Sequence, residues 1–595
     1  MTTKPDRSGV EGRDADPARH VPDRTGAASA SPVRRAASAS PARRAAGVIP
    51  GIVAGLLTAA VALGVAQLVA GITGSEGSPV VAVGRAAIDL TPRPVTDFAI
   101  RVFGTHDKQV LLSVIIVALA VFAAGFGIAA MRRLAAGFTG LAVFAAIGLL
   151  AVVTRPDFTP VDVAPTLAGA AVGAYALVRF ARTARRGAPG RVAAQAADRA
   201  ATALAAMPPD ATAPDATAPG TMAGPPDRGP GGQVSAAAPG RDRRAFLVTG
   251  AVAVTGAAAS GVLGNVLAQR SAVSDARANL HIRRPDRPAP ALAATDDLRI
   301  TGLSPFVTPS GSFYRVDTAL LIPQVSPASW RLRVHGMVNR ELHITFADLV
   351  RRPLTEADIT LCCVSNPVGG PYIGNARWLG VSLASLLRDA GIRPGADQLL
   401  STSSDGYTSG TPVATVMDGR NALLAIAMNG AALPIAHGFP ARMIVPGLYG
   451  YVSATKWVTD IKVTTFAAEQ GYWIKQGWAA RGPIKTESRI DVPTPNKTLK
   501  QGRVAVAGVA WAQHRGIEAV RVRADRGPWR EARLATVPGI DTWRQWVWDW
   551  DATPGAHQLQ VRATDKTGYT QTPVPVGPYP NGSTGWHTVT VKVTA

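Results

Sequence analysis

Cysteine is nearly absent: the 595 residues hold two, adjacent as Cys362 and Cys363. Sequence neighbours bridge each other only with strain, which argues against a structural disulfide. Without a third cysteine there is no CxxC zinc site, no iron–sulfur ligand set and no CxxCH haem attachment. Histidine is scarce too. None of the nine falls inside a long apolar run, and His106 only borders one, which argues against a bis-histidine haem in the apolar part of the chain. Charged residues make up only 17%. The balance is strongly basic, +22, but much of the excess lies in arginine clusters beside apolar runs. That is the signature of membrane topology, not of a nucleic-acid face.

Long apolar runs are what the sequence does have. Residues 1–45 are polar, rich in Pro, Ala, Ser and Arg, and read as a disordered cytoplasmic tail. Four runs of near-spanning length follow within 46–181: Ala46–Ile72, Val110–Ala130, Leu134–Val153 and Val163–Phe180. The Pro/Ala/Gly/Asp-rich stretch 182–243 reads as a flexible cytoplasmic linker. A fifth run, Phe246–Leu267 (unit 244–268), precedes a charged linker at 269–295. Arg34-Arg35 and Arg43-Arg44, Arg132-Arg133, and the cluster Arg179 to Arg186 fall on one face if the N-terminus is cytoplasmic. This predicts a multi-pass protein of the cell membrane with everything after Leu267 outside. Arg243-Arg244-Ala245-Phe246-Leu247 reads either as an internal twin-arginine export signal or as an ordinary positive flank.

The remainder predicts two soluble units. Residues 296–495 mix short strands and helices, an α+β pattern: Trp330–Val334 alternates as a strand, Phe346–Val350 and Leu383–Asp389 read as helices, and Gly391 stops the second. Here Ile359-Thr360-Leu361 leads as a strand into the two cysteines, and Asn366-Pro367 and Gly369-Gly370 break the backbone after them. A thiol at a strand end before a glycine-rich loop is well placed to meet a ligand, although a lone cysteine is more often a small buried hydrophobe. Residues 496–595 show short alternating strands at turn-separated intervals, which predicts an all-β immunoglobulin-like sandwich.

Five blocks carry a resemblance: Thr360-Leu361-Cys362-Cys363-Val364-Ser365-Asn366; Gly374-Asn375-Ala376-Arg377-Trp378-Leu379-Gly380; Met428-Asn429-Gly430; His437-Gly438-Phe439-Pro440-Ala441-Arg442; and Lys456-Trp457. In this order and spacing they resemble the sulfite-oxidase family of molybdopterin oxidoreductases. The resemblance implies a molybdenum–molybdopterin cofactor whose metal is ligated by Cys363, with Cys362 not used by the metal. It also implies phosphate contacts at His437, Arg442 and Lys456, an earlier cofactor or substrate contact at Arg315, and Asn375 and Arg377 lining the pocket from the loop after the cysteine. The C-terminal unit resembles the family's dimerisation domain, which implies a homodimer. The residue types suit this chemistry: a soft thiolate for a high-valent metal, and cationic donors for a phosphate.

The departures bear on substrate. Where sulfite oxidases place oxyanion-binding arginines after the cysteine motif, this chain has Pro367 and Val368; where they place a tyrosine ahead of Met-Asn-Gly, it has Ile426. A less cationic pocket suits a neutral S- or N-oxide, or another small organic substrate, better than sulfite. With no haem or cluster ligands of its own, the chain is expected to exchange electrons with an external haem protein or a quinone-linked membrane subunit. Two other classes compete: a cysteine-nucleophile acyl transferase using Cys363 with His437, and a non-catalytic surface binding protein.

Overall fold

A computed structural model describes residues 48–73, 78–92, 95, 107–155, 158–186, 273–319 and 322–595. The N-terminal tail, the linker after residue 186 and the expected fifth span with Arg243-Arg244 lie outside the described residues. Apolar composition at helical length gives α1 (Val48–Thr73), α3 (Asp107–Arg132), α4 (Leu134–Val153) and α5 (Ala164–Arg186). Among the described residues, four helical segments are long and apolar enough to cross a membrane, the last running Pro160–Thr183. The stretch between the first two long apolar runs also holds a helix, α2 (Pro79–Leu90), with proline in its first turn.

Small residues let these helices approach closely. A Cβ on Gly55 of α1 would meet the Ala123 carbonyl oxygen of α3 at 2.0 Å, and one on Gly127 of α3 would meet the Gly51 oxygen at 2.2 Å. Only glycine fits such backbone contact, the packing mode used where lipid removes the hydrophobic drive between helices.

The α+β part is built on two five-stranded sheets. One runs β2 (Leu342–Thr345), β1 (Arg331–Gly336), β10 (Val458–Thr464), β5 (Gln398–Ser403), β6 (Thr408–Pro412), with β1 and β10 parallel. The other is antiparallel: β3 (Leu354–Cys362), β4 (Ile373–Ser382), β7 (Leu423–Met428), β8 (Ala431–Ala432), with β9 (Arg442–Ile444) also on β7. Leu332, Val334 and Ile461 of the first sheet share one core with Leu379, Val381 and Leu424 of the second. The helices read from sequence appear as α6 (Phe346–Arg351), opened by a Thr345/Asp348 capping box, and α7 (Leu383–Ala390), closed by Gly391 at φ 70°.

Two further sheets follow: β11 (Glu487–Val492), β13 (Gly502–Trp511), β17 (Arg544–Ala552), β16 (Arg533–Leu534); and β12 (Thr498–Lys500), β19 (His587–Thr594), β18 (Gly555–Asp565), β14 (Ile517–Ala524), β15 (Arg530–Glu531). Val506, Trp546 and Trp550 from one face Val522, Val561 and Val591 from the other across a common core. Strand β11 pairs with β13, so this unit begins before the boundary at 496 that alternation alone suggested.

Candidate functional site

Strand β3 ends at Cys362, and the alternation of its residues sends the two thiols to different surroundings. Cys362 is fully buried in the main core. Cys363, just past the strand, is 9% exposed; its Sγ lies 2.9 Å from Ser365 Oγ. Burial pushes the Cys363 thiol up, while the Ser365 contacts and the charge of Lys456 pull it back down. No hydrogen bond joins Cys363 to His437 among the described residues, so a preformed thiol–imidazole pair is not what the fold presents.

A set of cationic and polar groups converges on the 437–456 segment. His437 ends a short 3-10 turn, and Gly438 follows at φ 108°. A Cβ there would press on Arg442 Cβ at 3.0 Å and Lys456 Cα at 3.2 Å, so glycine is what lets these elements close up. Arg442 is buried; its Nη1 donates to the His437 carbonyl at 3.0 Å, and its guanidinium lies 5.2 Å from the Trp378 ring centre. Phe313 packs edge-on against both Trp378 and His437. Lys456 Nζ lies 2.8 Å from Asp317 Oδ2, and Arg315 Nε reaches the same oxygen at 2.8 Å. The Asn429-Gly430 turn between β7 and β8 has positive φ at both residues, the type I′ signature. Asn429 Nδ2 in turn donates to Thr308 O and Ser310 Oγ, anchoring the segment that carries Phe313.

Electrostatics follow burial. It lowers His437 to about 3, helped by the Arg442 and Lys456 charges, so the imidazole is neutral near pH 7. It lowers Arg442 to about 10, against Tyr314 and Asp317. It brings Lys456 down to about 8, with Asp317 opposing. Among the buried nitrogens without a hydrogen-bond partner are two of this segment, His437 Nδ1 and Arg442 Nε, and one in the loop after Cys363, Asn366 Nδ2. Orphaned buried nitrogens are costly, and the pair on His437 and Arg442, beside the Lys456 ammonium, fits an anionic group.

Of the residues singled out in the sequence, Arg315, His437, Arg442 and Lys456 are thus brought together, and the Lys456 charge is felt at Cys363. Asn375 and Arg377 have other partners, and their expected place in a loop is corrected. They stand on strand β4 and not in a loop. Asn375 accepts from Thr360 Oγ1 and donates to Phe306 O. Arg377 is held by Asp358 at 2.7 Å and by the Pro290 carbonyl.

Two residues escaped sequence reasoning. Asp317 had no local signal, since an acid is the wrong type for an anion site. Tyr314 stands beside the cysteines: a Cβ on Gly450 would lie 4.0 Å from its hydroxyl and 3.7 Å from the Cys362 carbonyl. Its acidity is suppressed by burial and by both thiols. A tyrosine is therefore near the thiols, supplied by a segment other than the Ile426 strand, where the isoleucine is core. Tyr407 donates to Tyr451 O at 2.8 Å and is also influenced by Cys363.

Comparison with known proteins bears on the family of this part of the chain. Residues 319–473 match the family model described as the oxidoreductase molybdopterin binding domain. Sulfite oxidase of Gallus gallus is 31% identical over 340 residues, 47% of this chain and 72% of that protein. An uncharacterized oxidoreductase of Bacillus subtilis, YuiH, is 31% identical over 153 residues, covering 26% of this chain and 74% of that one. Among solved structures, the sulfane dehydrogenase SoxCD from Paracoccus pantotrophus aligns at 25% identity and TM-score 0.43, over 50% of this chain and 86% of that one.

Proposed function

Because the chain belongs to the sulfite-oxidase family of molybdopterin-dependent oxidoreductases, we propose that it is a membrane-anchored, extracytoplasmic enzyme moving an oxygen atom to or from a small sulfur- or nitrogen-containing substrate. The observation that carries the cofactor reading is the set of unpartnered buried nitrogens on His437 and Arg442 beside Lys456. In this reading those residues would hold the pterin phosphate and Cys363 would hold molybdenum. The bound cofactor supplies the two-electron oxygen-transfer chemistry.

The chain's own residues do the rest. Arg442 offers a rigid fork, Lys456 a point charge and neutral His437 a hydrogen bond. Cys363 would ligate the metal as its thiolate, the form a metal ligand must take. Pro367 and Val368 put apolar groups where sulfite oxidases carry cations, which favours a neutral oxide over a dianion. Sulfite itself remains the second reading, favoured by the 31% identity to a sulfite oxidase. The membrane orientation rests on the arginine clusters, the immunoglobulin-like character of the last unit on its alternating strands, and its dimer formation on resemblance alone. Electrons are exchanged with an external redox partner.

Metal analysis of the purified chain tests this. The expectation is about one molybdenum per chain, lost in Cys363→Ala and kept in Cys362→Ala. Turnover with sulfite and with sulfoxides, using a dye as redox partner, then separates the two substrate readings. A metal-free wild-type protein after growth with ample molybdate overturns both.

A further inference from the structure

The C-terminal sheets reach into the loop that follows Cys363. Arg489 Nη1 of β11 donates to Gly370 O at 2.7 Å, and Ser583 Oγ donates to Asn366 O at 2.7 Å. The His587 ring leaves no space over Gly369, where a Cβ would meet it at 2.1 Å. The Asn366 amide closes a turn on the Cys363 carbonyl at 3.1 Å, so Ser583 holds the turn that carries this thiol.

Behind Ser583 stands Glu487, 4% exposed, with Oε1 3.2 Å from Ser583 Oγ. A serine hydroxyl has one proton to give. The shorter contact, to a carbonyl that can only accept, takes it. The contact to Glu487 then needs its hydrogen from the carboxyl.

Of the charged groups near Glu487, Lys485 alone favours its ionised form, and burial outweighs it. Lys485, two residues before β11 begins, is engaged by Asn581 Oδ1 and the Gly582 carbonyl. Arg489, two residues on, pairs with Asp491. Tyr449 and Cys362 face it from across the seam, and burial raises both. No ion pair to Glu487 exists among the described residues, and an unpaired buried carboxylate is costly. Burial accordingly pushes its acid constant up to about 8.

We propose that Glu487 carries a proton at neutral pH and, through Ser583, fixes the Asn366 turn and with it the direction of the Cys363 thiol. Glu487 is a positioning residue, and its importance for catalysis rests on the reading of Cys363 given above. On ionisation the proton leaves to solvent, the Ser583 hydroxyl turns to the carboxylate, and the Asn366 carbonyl is released. Because the folded value lies above the ordinary 4.5, the stabilisation is complete below that pH and is lost as pH rises through about 8.

The test uses the detergent-solubilised full chain, metal-free, in a Cys362→Ala background. Infrared spectra should show a protonated-carboxyl band at pH 7, absent in Glu487→Gln and titrating near pH 8. Alkylation of Cys363 by iodoacetamide should rise between pH 7 and 9 by about fivefold more in the parent than in Glu487→Gln, the factor that loss of one ~1 kcal/mol hydrogen bond allows. Ser583→Ala should abolish that extra rise while keeping the infrared band, which keeps the test alive should Glu487→Gln fail to fold. A missing band, or equal alkylation profiles in all three, overturns the proposal. Loss of molybdenum dependence on Cys363 with the band intact would instead sink the functional reading alone.

Discussion

Lys456 Nζ and Asp317 Oδ2 meet at 2.8 Å with both side chains largely buried, so the candidate anion site contains a carboxylate of its own. Asp317 also holds Arg315, and so sets the spacing of two cations that would otherwise repel.

Asp317→Asn should therefore leave Lys456 buried without its counter-charge. Removing one partner of a buried pair costs roughly 3 kcal/mol. Chemical denaturation at pH 7 should show that loss, and a change under about 0.5 kcal/mol would mean the pair behaves as an exposed one.

The pH dependence of anion binding follows from the same lysine. Binding of inorganic phosphate to the metal-free protein should weaken as pH rises through about 8, where Lys456 loses its charge. His437, at about 3, adds no limb near neutrality. Stability has the opposite sign. Between about 8 and 10.5 the unfolded lysine binds the proton more than the folded one, so this group makes the metal-free fold more stable as pH rises. Calorimetric titration and thermal melts across that window measure both.

Arg442→Lys should not be conservative. The fork that reaches both the His437 and Ala454 carbonyls while covering Trp378 has no equivalent in an ammonium. Retention of cofactor should weaken by about tenfold, one step of ~1.4 kcal/mol. Molybdenum content after extended dialysis reads it out.

In the membrane part, Gly127→Leu should separate α1 from α3, because even a methyl group would meet the Gly51 carbonyl oxygen at 2.2 Å. Cross-linking between cysteines introduced on the two helices should fall sharply, while the same substitution at Gly125, with nothing within 4 Å, should leave it intact.

What could be read from sequence was what is local. The end of α7 was legible because Gly391 is the left-handed residue a helix stop needs. The cysteine loop was legible from its glycine and proline, and the His437–Arg442 string from its cations. Strand β4 was not: buried on both faces along most of its length, it has no alternation to betray it, and Asn375 and Arg377 looked like loop residues. Asp317 and Glu487 were invisible for a different reason. Each acquires its meaning from a partner more than ninety residues away, Lys456 in one case and Ser583 in the other. No pattern within a window of sequence encodes such a meeting.

The glycine seam in the membrane also limits where a pigment can sit. With backbone touching backbone at Gly51, Gly55 and Gly127, the seam between α1 and α3 has no width for a flat macrocycle or a quinone ring. A redox group served by this bundle is thus kept out of the α1–α3 seam, while Val117, Val121 and Phe122 of α3 offer an exposed apolar wall.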